Sequence, residues 1–528
     1  MSIEQNLLKL RSTLNLTQEE FAAMLGVSRQ AVQKWETGTA RPDIKNLISI
    51  AKRFHISIDA LLLDTDKRVA EELSYDKKIQ PEYASVHKWE SYSSQLSVEY
   101  MQCIEEGKDL KIYQELFRVV EQLPPSAERE KIADTLFCFT TNSPTLPNFS
   151  YEEPSDLESI QHCRPAERFV STHALPCAEI LRDKIHGAWL GRICGCLLGK
   201  PIEGIRTNEL NLILESSSNY PLHRYIRSDD ITEALCEKIS FRLHGKCFAD
   251  TVSCAPVDDD TNYTVLSQIL IDTYGRDFTP YDVSRIWLEY QPKSAYCTAE
   301  RVAYRNFVAG YLPPNSAKYK NPYREWIGAQ IRADYFGYIN PGDPETAAQM
   351  AWRDASISHV KNGIYGEMFV AAMIATAAVE TDIETIIRAG LSQIPENCRL
   401  AERIRQMIEL FRKTQDEKEC FQFIHKLYDE HKTHDWCHTI SNAMIVVAAL
   451  LCGSGDFGKS ICLAVGTGFD TDCNGATVGS ILGMRRGSRC INEQWSSPVN
   501  GELETSIFGV GRVNIQKLVD HTMDHVKM

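Results

Sequence analysis

The chain has 528 residues, a length that corresponds to about three or four domains of ordinary size. Hydrophobic residues make up 43% and charged residues 24%, which is an ordinary globular mixture and excludes a largely disordered chain. The net charge of -14 argues against nucleic-acid binding by the whole surface, although it leaves room for a small local DNA-binding unit.

The N-terminal segment MSIEQNLLKLR lacks the basic start and apolar middle of a signal peptide. The longest apolar stretch, around Ala443 to Cys452, has about half of the roughly 20 residues that a bilayer span needs. We therefore expect neither secretion nor a membrane partner. The 17 cysteines are scattered without a C-x-x-C pair, which favours a cytoplasmic location.

Residues 1–64 contain two short helical patterns separated by a glycine. Thr17-Gln18-Glu19-Glu20 is a capping box, and it predicts a helix that runs to Leu25 and ends at Gly26. Ser28 predicts the cap of a second helix, Arg29 to Glu36, so the joining turn has the spacing of a helix-turn-helix. The residues predicted to pack are Phe21, Ala22, Leu25, Val27, Val32, Trp35, Leu47, Ile50 and Phe54.

The second helix begins with long polar side chains that can bind base edges in a major groove, although an ordinary solvated face is the alternative. The segment from Leu16 to Phe54, with W-E-x-G-x-x-x-P at 35–42, resembles the five-helix DNA-binding domain of the phage Cro and CI repressors. The resemblance implies a homodimer on a two-fold DNA operator. It also implies phosphate contacts by Gln18 and Ser28, and base contacts by Arg29, Gln30, Gln33 and Lys34.

Residues 65–141 are predicted to form a helical spacer. Ile112, Leu116, Val119 and Leu123 share one face of a 3.6-residue period, which predicts a packed helix ending before Pro124-Pro125. Residues 142–176 begin with NSPTLPNFSYEEPS, whose prolines and small polar residues predict a linker. Helical patterns dominate residues 177–528, where no long series of alternating strands occurs.

Two carboxylate clusters stand about 210 residues apart in this last region. The first is the run of three aspartates at 258–260, which repel one another unless they are solvated or neutralised by a cation. The second is Asp470 and Asp472, followed at 475–483 by glycines at every fourth position that permit close backbone packing. Facing clusters would make a binuclear site for Mg²⁺, whereas a single cluster is more often a surface turn or helix cap.

A third motif, GCLLGKPIEG at 195–204, ends a small-residue-rich helix and carries Glu203. Together with DDDTNYT at 258–264 and GFDTDCNGATVGSILG at 468–483, it resembles the ADP-ribosylglycohydrolase family, which includes the enzyme that reactivates dinitrogenase reductase. The resemblance covers roughly residues 180–525. Supporting pieces are Gly328-Ala329-Gln330-Ile331-Arg332, Ser358-His359 and the helix around His438, Asn442 and Ala443.

This resemblance implies an all-α domain, so the whole chain is expected to be all-α. It implies two Mg²⁺ ions, replaceable by Mn²⁺, and a substrate with an N- or O-glycosidic bond to ADP-ribose or a related nucleotide sugar. The implied metal ligands are Asp258, Asp259 and Asp260 for one ion and Asp470 and Asp472 for the other, with Asp472 bridging. Glu203 is the implied catalytic acid, since hydrolysis at an anomeric carbon needs a carboxyl group that protonates the leaving group or activates water. The implied substrate-binding residues are His359, Gly328 and Asn474.

The chain departs from the family near the acids. Cys196 stands where many members have Asp, Cys473 where they have Thr or Ser, and Asp258 where they have Thr, and a thiol is a poor Mg²⁺ ligand. The favoured interpretation is a hydrolase coupled to sequence-specific DNA binding and transcriptional regulation. One alternative is a repressor that senses an ADP-ribose-like ligand without turnover, and another is an enzyme whose helix-turn-helix only binds protein. For His359 and His438, a structural role and a role in substrate binding are equally good interpretations.

Overall fold

The computed structural model describes residues 3–56, 58–62, 82–169, 171 and 173–527. The chain divides into two compact units, residues 1–82 and 83–528. The predicted boundary after residue 64, and the predicted spacer from 65 to 81, lie outside the described residues. The all-α prediction is confirmed, because the strands of the described part are only Glu502–Glu504 and Arg512–Asn514, an antiparallel pair with Leu503 opposite Val513. Among the described helices, none combines the length and apolar character that a bilayer crossing requires.

The first unit is a small bundle around a single buried core. Its described helices are Ile3–Thr13, Gln18–Leu25, Arg29–Glu36, Ile44–Phe54 and Ile58–Leu62. The predicted capping box is confirmed, since Thr17 Oγ1 accepts from the Glu20 amide at 3.2 Å and the Glu20 carboxylate accepts from the Thr17 amide at 2.7 Å. Gly26 ends the helix with a φ of +69°, a conformation that favours glycine. The predicted packing residues are buried or partly buried here.

The spacer region forms the helices Leu96–Glu105, Gln114–Glu121 and Ala127–Asn142. The predicted packed face is wrong: Ile112 is 83% exposed, and Leu116, Val119 and Leu123 are also exposed. The buried side chains of this helix are Phe117 and Val120, which pack with Leu96 and Leu136. The neighbouring face of the same helix is turned inward because an aromatic ring fills more of the core than the aliphatic side chains beside it.

The stretch 142–176, whose composition predicts a linker, packs against the rest of the second unit. It contains the helix Leu157–Cys163. Its Glu153 pairs with Arg399 at 2.8 Å, and the Trp352 indole donates to the Ser155 carbonyl at 2.9 Å. Prolines interrupt regular helix here, and the polar side chains between them find partners 200 residues away instead of solvent.

Helices build the remainder of the second unit around one extended apolar core. Their bounds are Ala178–Gly199, Thr207–Ser216, Glu233–Cys236, Asp259–Tyr274, Pro280–Tyr290, Thr298–Val308, Asn315–Lys318, Asp334–Tyr338, Pro344–Ala355, Asn362–Ala377, Ile383–Leu391, Arg399–Thr414, Glu417–Leu427, Thr433–Cys437, Thr439–Cys452, Phe457–Gly466, Thr471–Arg486, Glu493–Ser496 and Ile515–Val526.

Two of these helices pack with their backbones in contact and position the acidic motifs. We name Ala178–Gly199 the first glycine helix and Thr471–Arg486 the second glycine helix. They are antiparallel, and the opposed pairs are Gly187 with Gly483, Gly191 with Gly479, and Gly195 with Gly475. A Cβ atom at any of these positions would overlap a backbone carbonyl of the other helix, which confirms the packing role predicted for 475–483.

Candidate functional site

The glycine contact brings the three sequence motifs to one place. Gly199, at the end of the first glycine helix, lies against the backbone of Thr471 and Asp472, and Thr471 Oγ1 donates to its carbonyl at 3.0 Å. The loop that follows Gly199 therefore begins beside the second acidic motif. Carboxylate oxygens of Glu203, Asp470 and Asp472 lie within 4.8 Å of one another as a result.

The first acidic motif joins the same cluster. Asp258 and Asp260 approach within 4.8 Å of each other together with Cys196, and Asp260 is equally close to Asp472 and Cys473. Asp258 caps the helix Asp259–Tyr274 by accepting from the Asp260 amide at 2.9 Å. We name Glu203, Asp258, Asp259, Asp260, Asp470 and Asp472 the acid cluster. Two helices begin in it, and the positive end of a helix dipole favours carboxylates.

Two basic side chains that the sequence analysis missed neutralise part of this charge. Lys200 Nζ donates to Asp258 Oδ2 at 2.6 Å and ties the Glu203 loop to the first motif. Arg192 is fully buried in the first glycine helix, where it pairs with Asp260 at 2.9 Å and with Asp334 at 2.8 Å. A lone arginine within a glycine-rich apolar helix was a usable signal, whereas Asp334 gave none.

The remaining negative charge is unfavourable without a cation. Burial and neighbouring carboxylates raise the pKa of Asp259, Asp260 and Asp470 well above the usual aspartate range. Burial and the Asp258 carboxylate raise the pKa of Asp472 to about 6. Asp260 Oδ2 and Asp472 Oδ1 are buried oxygens without a hydrogen-bond partner in the described residues. Unpartnered carboxylate oxygens of this kind fit a hard divalent cation such as Mg²⁺.

Cys196 and Cys473 contribute thiols, not thiolates. Burial, reinforced by the adjacent aspartates, raises the pKa of both cysteines well above the usual range. Neutral thiols are weak ligands for hard cations, so oxygen atoms are the better metal donors here. These two departures from the family pattern therefore place weak ligands beside the acid cluster.

Glu203 differs from the other acids in its access to solvent. Its side chain is exposed, whereas Asp258, Asp260, Asp470 and Asp472 are buried. The neighbouring carboxylates of Asp472 and Asp259 raise the pKa of Glu203 well above its usual range. Within the described part of the chain, its carboxylate has no hydrogen-bond or ion-pair partner, so it is free to meet a ligand.

A strained turn precedes Asp470. Gly468 and Phe469 have φ values of +76° and +58°. The left-handed region suits glycine, but it costs a bulky residue such as phenylalanine about 1–2 kcal/mol. The buried Phe469 ring lies 5.2 Å from the His425 ring, and this packing holds the turn in place.

The three predicted substrate-binding residues are buried, and of these Asn474 lies directly beside an acid of the cluster. Asn474 follows Asp472 on the second glycine helix, and its Nδ2 donates to Asn442 Oδ1 at 2.8 Å. Gly328 lies against the Glu300 carboxylate, where a Cβ atom would not fit. His359 is fully buried; Ser358 Oγ is 2.8 Å from its Nδ1, and its Nε2 has no partner in the described residues.

Burial lowers the pKa of His359 well below its usual range, so the ring is neutral at physiological pH.

A second ligand-like cluster of Glu105, His434 and His438 lies apart from the acids. Trp326 Nε1 donates to His434 Nδ1 at 3.2 Å, and the Ile440 amide donates to His438 Nδ1 at 3.1 Å. Both Nδ1 atoms therefore act as acceptors. Each Nε2 lies near the Glu105 carboxylate, at 3.2 and 3.4 Å, without a hydrogen bond in the described residues.

The first unit presents its predicted reading helix to solvent. Arg29, Gln30, Gln33 and Lys34 are all exposed. Ser28 Oγ accepts from the Ala31 amide at 3.2 Å and caps this helix, as predicted. Gln18 Nε2 donates to Glu36 Oε2 at 2.8 Å, so its amide is anchored beside the helix end.

Comparison with known proteins agrees with this geometry. Residues 178–526, more than half of the chain, match the family model described as ADP-ribosylglycohydrolase. The chain belongs to the ADP-ribosylglycohydrolase family. Residues 7–61 match a second model, described as helix-turn-helix, so this family member carries an XRE-type helix-turn-helix domain ahead of its glycohydrolase domain.

Curated relatives are similar to the helix-turn-helix domain. The "HTH-type transcriptional activator BcrR" of Enterococcus faecalis is 45% identical over 62 residues, which are 12% of this chain and 30% of that protein. The "Cryptic phage CTXphi transcriptional repressor RstR" of Vibrio cholerae is 38% identical over 61 residues, 12% of this chain and 54% of the other. The chain thus spans only about a third to a half of the length of these two relatives.

A solved structure named "ADP-ribosylglycohydrolase-related protein complex" is also similar. The match covers 66% of this chain and 99% of that one, with 17% identity and a TM-score of 0.41.

Proposed function

We propose that this ADP-ribosylglycohydrolase family member hydrolyses an N- or O-glycosidic bond to ADP-ribose or a related nucleotide sugar, with two Mg²⁺ ions. The observation that carries the proposal is the convergence of three distant motifs, with Glu203, Asp470 and Asp472 oxygens within 4.8 Å of one another. A structural helix cap would not need carboxylates from three segments. A site that binds metal ions beside a sugar and also supplies a free carboxyl group does need carboxylates from several segments.

The acid cluster would hold the metal ions through Asp258, Asp259, Asp260, Asp470 and Asp472. Bound Mg²⁺ would supply positive charge that fixes the ribose hydroxyls and lowers the pKa of a nearby water molecule. The protein's part is to keep these oxygens in place. Lys200 holds Asp258 at 2.6 Å and Arg192 holds Asp260 at 2.9 Å, so both act as positioning residues.

Glu203 is the proposed proton-transferring group. It is the exposed member of the acid cluster, and its carboxylate is not committed to any partner in the described residues. A carboxyl group at an anomeric centre protonates the leaving oxygen or nitrogen, or removes a proton from the attacking water. Asp258 and Asp260 are less suited to proton transfer with a substrate, because Asp258 caps a helix and pairs with Lys200 and Asp260 pairs with Arg192.

Replacing Glu203 tests this role. We expect Glu203→Gln to lower turnover of ADP-ribosylated substrates by about 10²- to 10⁴-fold, because the proton transfer is lost. Binding of ADP-ribose in the presence of Mg²⁺ should change little, since the amide has the shape of the acid. Release of ADP-ribose from a panel of modified proteins, nucleic acids and small molecules measures the first quantity, and calorimetry the second.

Glu215→Gln is the matched control, because Glu215 is exposed on the nearby helix Thr207–Ser216 and lies outside the acid cluster. It should leave both turnover and binding unchanged. Equal turnover by wild type and Glu203→Gln would refute the catalytic role.

We further propose that the helix-turn-helix domain binds DNA sequence-specifically as a homodimer and regulates transcription. The relatives named above are regulators, and Arg29, Gln30, Gln33 and Lys34 stand exposed on one helix, where their donors can reach base edges. Ser28 and Gln18 sit at helix starts, where side chains and amides suit phosphate contacts. A symmetric operator would match a two-fold dimer.

Selection of duplexes by the full-length protein from a random pool tests DNA binding. On the selected duplex, Gln30→Ala should relax base preference at one or two positions by about 1–3 kcal/mol, whereas Gln18→Ala should weaken binding evenly across sequences. Gln122→Ala, an exposed glutamine of the spacer, should change neither. Failure of the wild type to enrich any sequence would leave the helix-turn-helix as a protein-binding module.

One observation favours a second candidate, a ligand sensor that binds ADP-ribose with metal and does not turn it over. Cys196 and Cys473 are neutral thiols beside the metal-binding oxygens, and each occupies a place where an oxygen ligand would serve better. The turnover assay separates the two candidates, because a sensor would bind ADP-ribose and release none from any substrate.

A further inference from the structure

A large cavity lies in the glycohydrolase domain between the helices Glu417–Leu427 and Phe457–Gly466. Its volume is about 980 Å³, at the upper end of the range for small-molecule sites. The segments 220–223 and 492–495 close its sides. It contains no residue of the acid cluster, so it is a different site.

The cavity wall combines an apolar surface with uncompensated positive charge. Leu222, Phe421, Leu463 and Trp495 supply apolar and aromatic area. Lys418 and Lys426 line the same space, and neither has an ion-pair partner among the described residues. Two planar aromatic residues and two free ammonium groups suit a ligand with an aromatic body and an acidic group.

The acidic residues of the wall are already engaged. Glu417 pairs with Lys459 at 3.3 Å, and Asp456 caps the helix Phe457–Gly466 by accepting from the Lys459 amide at 2.7 Å. The buried Trp495 Nε1 has no hydrogen-bond partner in the described residues and stands next to Gly458, another wall residue. An acceptor atom on a ligand would satisfy it, since a buried N–H group without a partner is costly.

The cavity shares residues with both loops of the acid cluster. Thr467 lines it and precedes Asp470 by three residues, and Thr207 lines it four residues after Glu203. His425 projects from the cavity wall to Thr467 Oγ1, 3.1 Å from its Nε2, and its ring contacts Phe469. A ligand that moves His425 would therefore act on the strained turn that positions Asp470.

We propose that this cavity binds an aromatic anion as an effector, and that its occupancy changes metal binding at the acid cluster through His425 and Phe469. The binding site itself is independent of the proposed hydrolase function, whereas the effector role rests on it. By linkage, metal at the acid cluster must change the affinity of the cavity for its ligand by the same factor.

Anilinonaphthalene sulfonate, a fluorescent aromatic anion, is the probe for the binding site. The full-length protein should bind it saturably with one site per chain. Lys418→Glu combined with Lys426→Glu should weaken binding by about tenfold or more, because two charge-assisted contacts are lost. Lys413→Glu combined with Lys517→Glu makes the same charge change at exposed positions outside the cavity and should have no effect.

Repeating the titration with saturating Mg²⁺ tests the effector role. We expect the dissociation constant of the probe to change by about fivefold or more, and His425→Ala to remove most of this change while probe binding persists. His223→Ala removes another histidine of the wall that does not contact Thr467 or Phe469, and it should leave the magnesium effect intact.

Absence of saturable binding, or equal binding by the Lys418/Lys426 variant and wild type, would overturn the site. A magnesium effect that is absent in wild type, or unchanged in His425→Ala, would overturn the effector role. If Mg²⁺ fails to stabilise the protein while charge-dependent probe binding remains, the proposed hydrolase function and the effector role fall together and the binding site stands.

Discussion

At the scale of single residues, the acid cluster is an imbalance of charge. Six carboxyl groups meet two basic side chains, Arg192 and Lys200, and two buried carboxylate oxygens have no partner in the described residues. The raised pKa values of the aspartates express the same imbalance. Such a site is costly to fold without cations and gains stability when they bind.

Replacing Asp472 allows the effect of this charge imbalance on stability to be measured. In metal-free protein we expect Asp472→Asn to raise the melting temperature, because it removes one member of a repelling group, with a gain of about 1–2 kcal/mol. The same substitution should abolish the stabilisation by Mg²⁺, which for wild type is about 2.7 kcal/mol at one hundred times the dissociation constant. Melting curves with EDTA and with excess Mg²⁺ measure both effects.

Asp277→Asn is the control for this experiment, because Asp277 is exposed and lies outside the acid cluster. It should leave both melting temperatures unchanged. A magnesium shift that persists in Asp472→Asn would exclude this residue as a ligand.

Sequence reasoning finds the acids of the cluster but not their partners. Runs such as 258–260 are visible because adjacent carboxylates need a reason to coexist. Arg192 and Asp334 are far apart in the chain, and only folding shows that they pair at 2.8 Å behind Asp260. The place of Arg192 in a glycine-rich apolar helix marks it as unusual, but the sequence does not indicate which acids it pairs with.

At the scale of elements, the two glycine helices determine how closely the acidic motifs approach. Their contact is backbone to backbone, so any side chain larger than hydrogen separates them. The sequence predicts that the glycine face of the second glycine helix packs closely, but it does not predict the partner. The periodicity of one helix carries no information about which other helix contacts it. The spacer helix Gln114–Glu121 has two competing apolar faces, and the face predicted from the periodicity is the exposed one.

Gly191→Ala tests this coupling of packing to site. The methyl group would overlap the Gly479 carbonyl, so we expect a loss of stability of about 1–3 kcal/mol and weaker Mg²⁺ binding, because Gly199 and Asp472 move apart. Denaturant unfolding and magnesium titration measure the two effects.

Gly466→Ala is the matched control. Gly466 ends the helix Phe457–Gly466, and a Cβ atom there meets its nearest neighbour at an ordinary 3.8 Å. Its stability should be unchanged or slightly higher. Equal behaviour of the two variants would show that the glycine contact is not needed.

At the scale of the whole molecule, the spacer is bound tightly to the glycohydrolase domain. The helix Leu96–Glu105 and the following Glu106 present carboxylates to buried basic residues. We name as the docking network the contacts of Arg324 with Glu99 at 2.9 Å and with Glu106 at 2.6 Å, of Lys361 with Glu106 at 3.1 Å, and of Gln102 with Glu325 at 2.9 Å. Sequence composition treats the spacer, the linker and the glycohydrolase domain as separate segments, because composition does not reveal ion pairs between residues about 200 positions apart.

The docking network also lies next to the site. Trp326 and Ile327, which follow Glu325, bond to the segment 437–439, and Cys437 Sγ lies 3.8 Å from Asp470 Oδ2. Leu96–Glu105 is the first α-helix described after the helix-turn-helix unit. These bonds link the docking network to Asp470, one of the proposed metal ligands.

If ligand binding regulates DNA binding, ADP-ribose with Mg²⁺ should change the affinity of the full-length protein for its selected duplex by about fivefold or more. Glu106→Gln removes one charge from the docking network while keeping the shape of the side chain, so it should reduce this change to less than about twofold. Affinity for the duplex alone and for ADP-ribose alone should stay near the wild-type values, because Glu106 contacts neither proposed surface.

Glu128→Gln, at an exposed spacer position outside the network, should behave as wild type. A coupling factor that survives in Glu106→Gln would show that the signal does not pass through the docking network, and its absence in wild type would show that the two domains act independently.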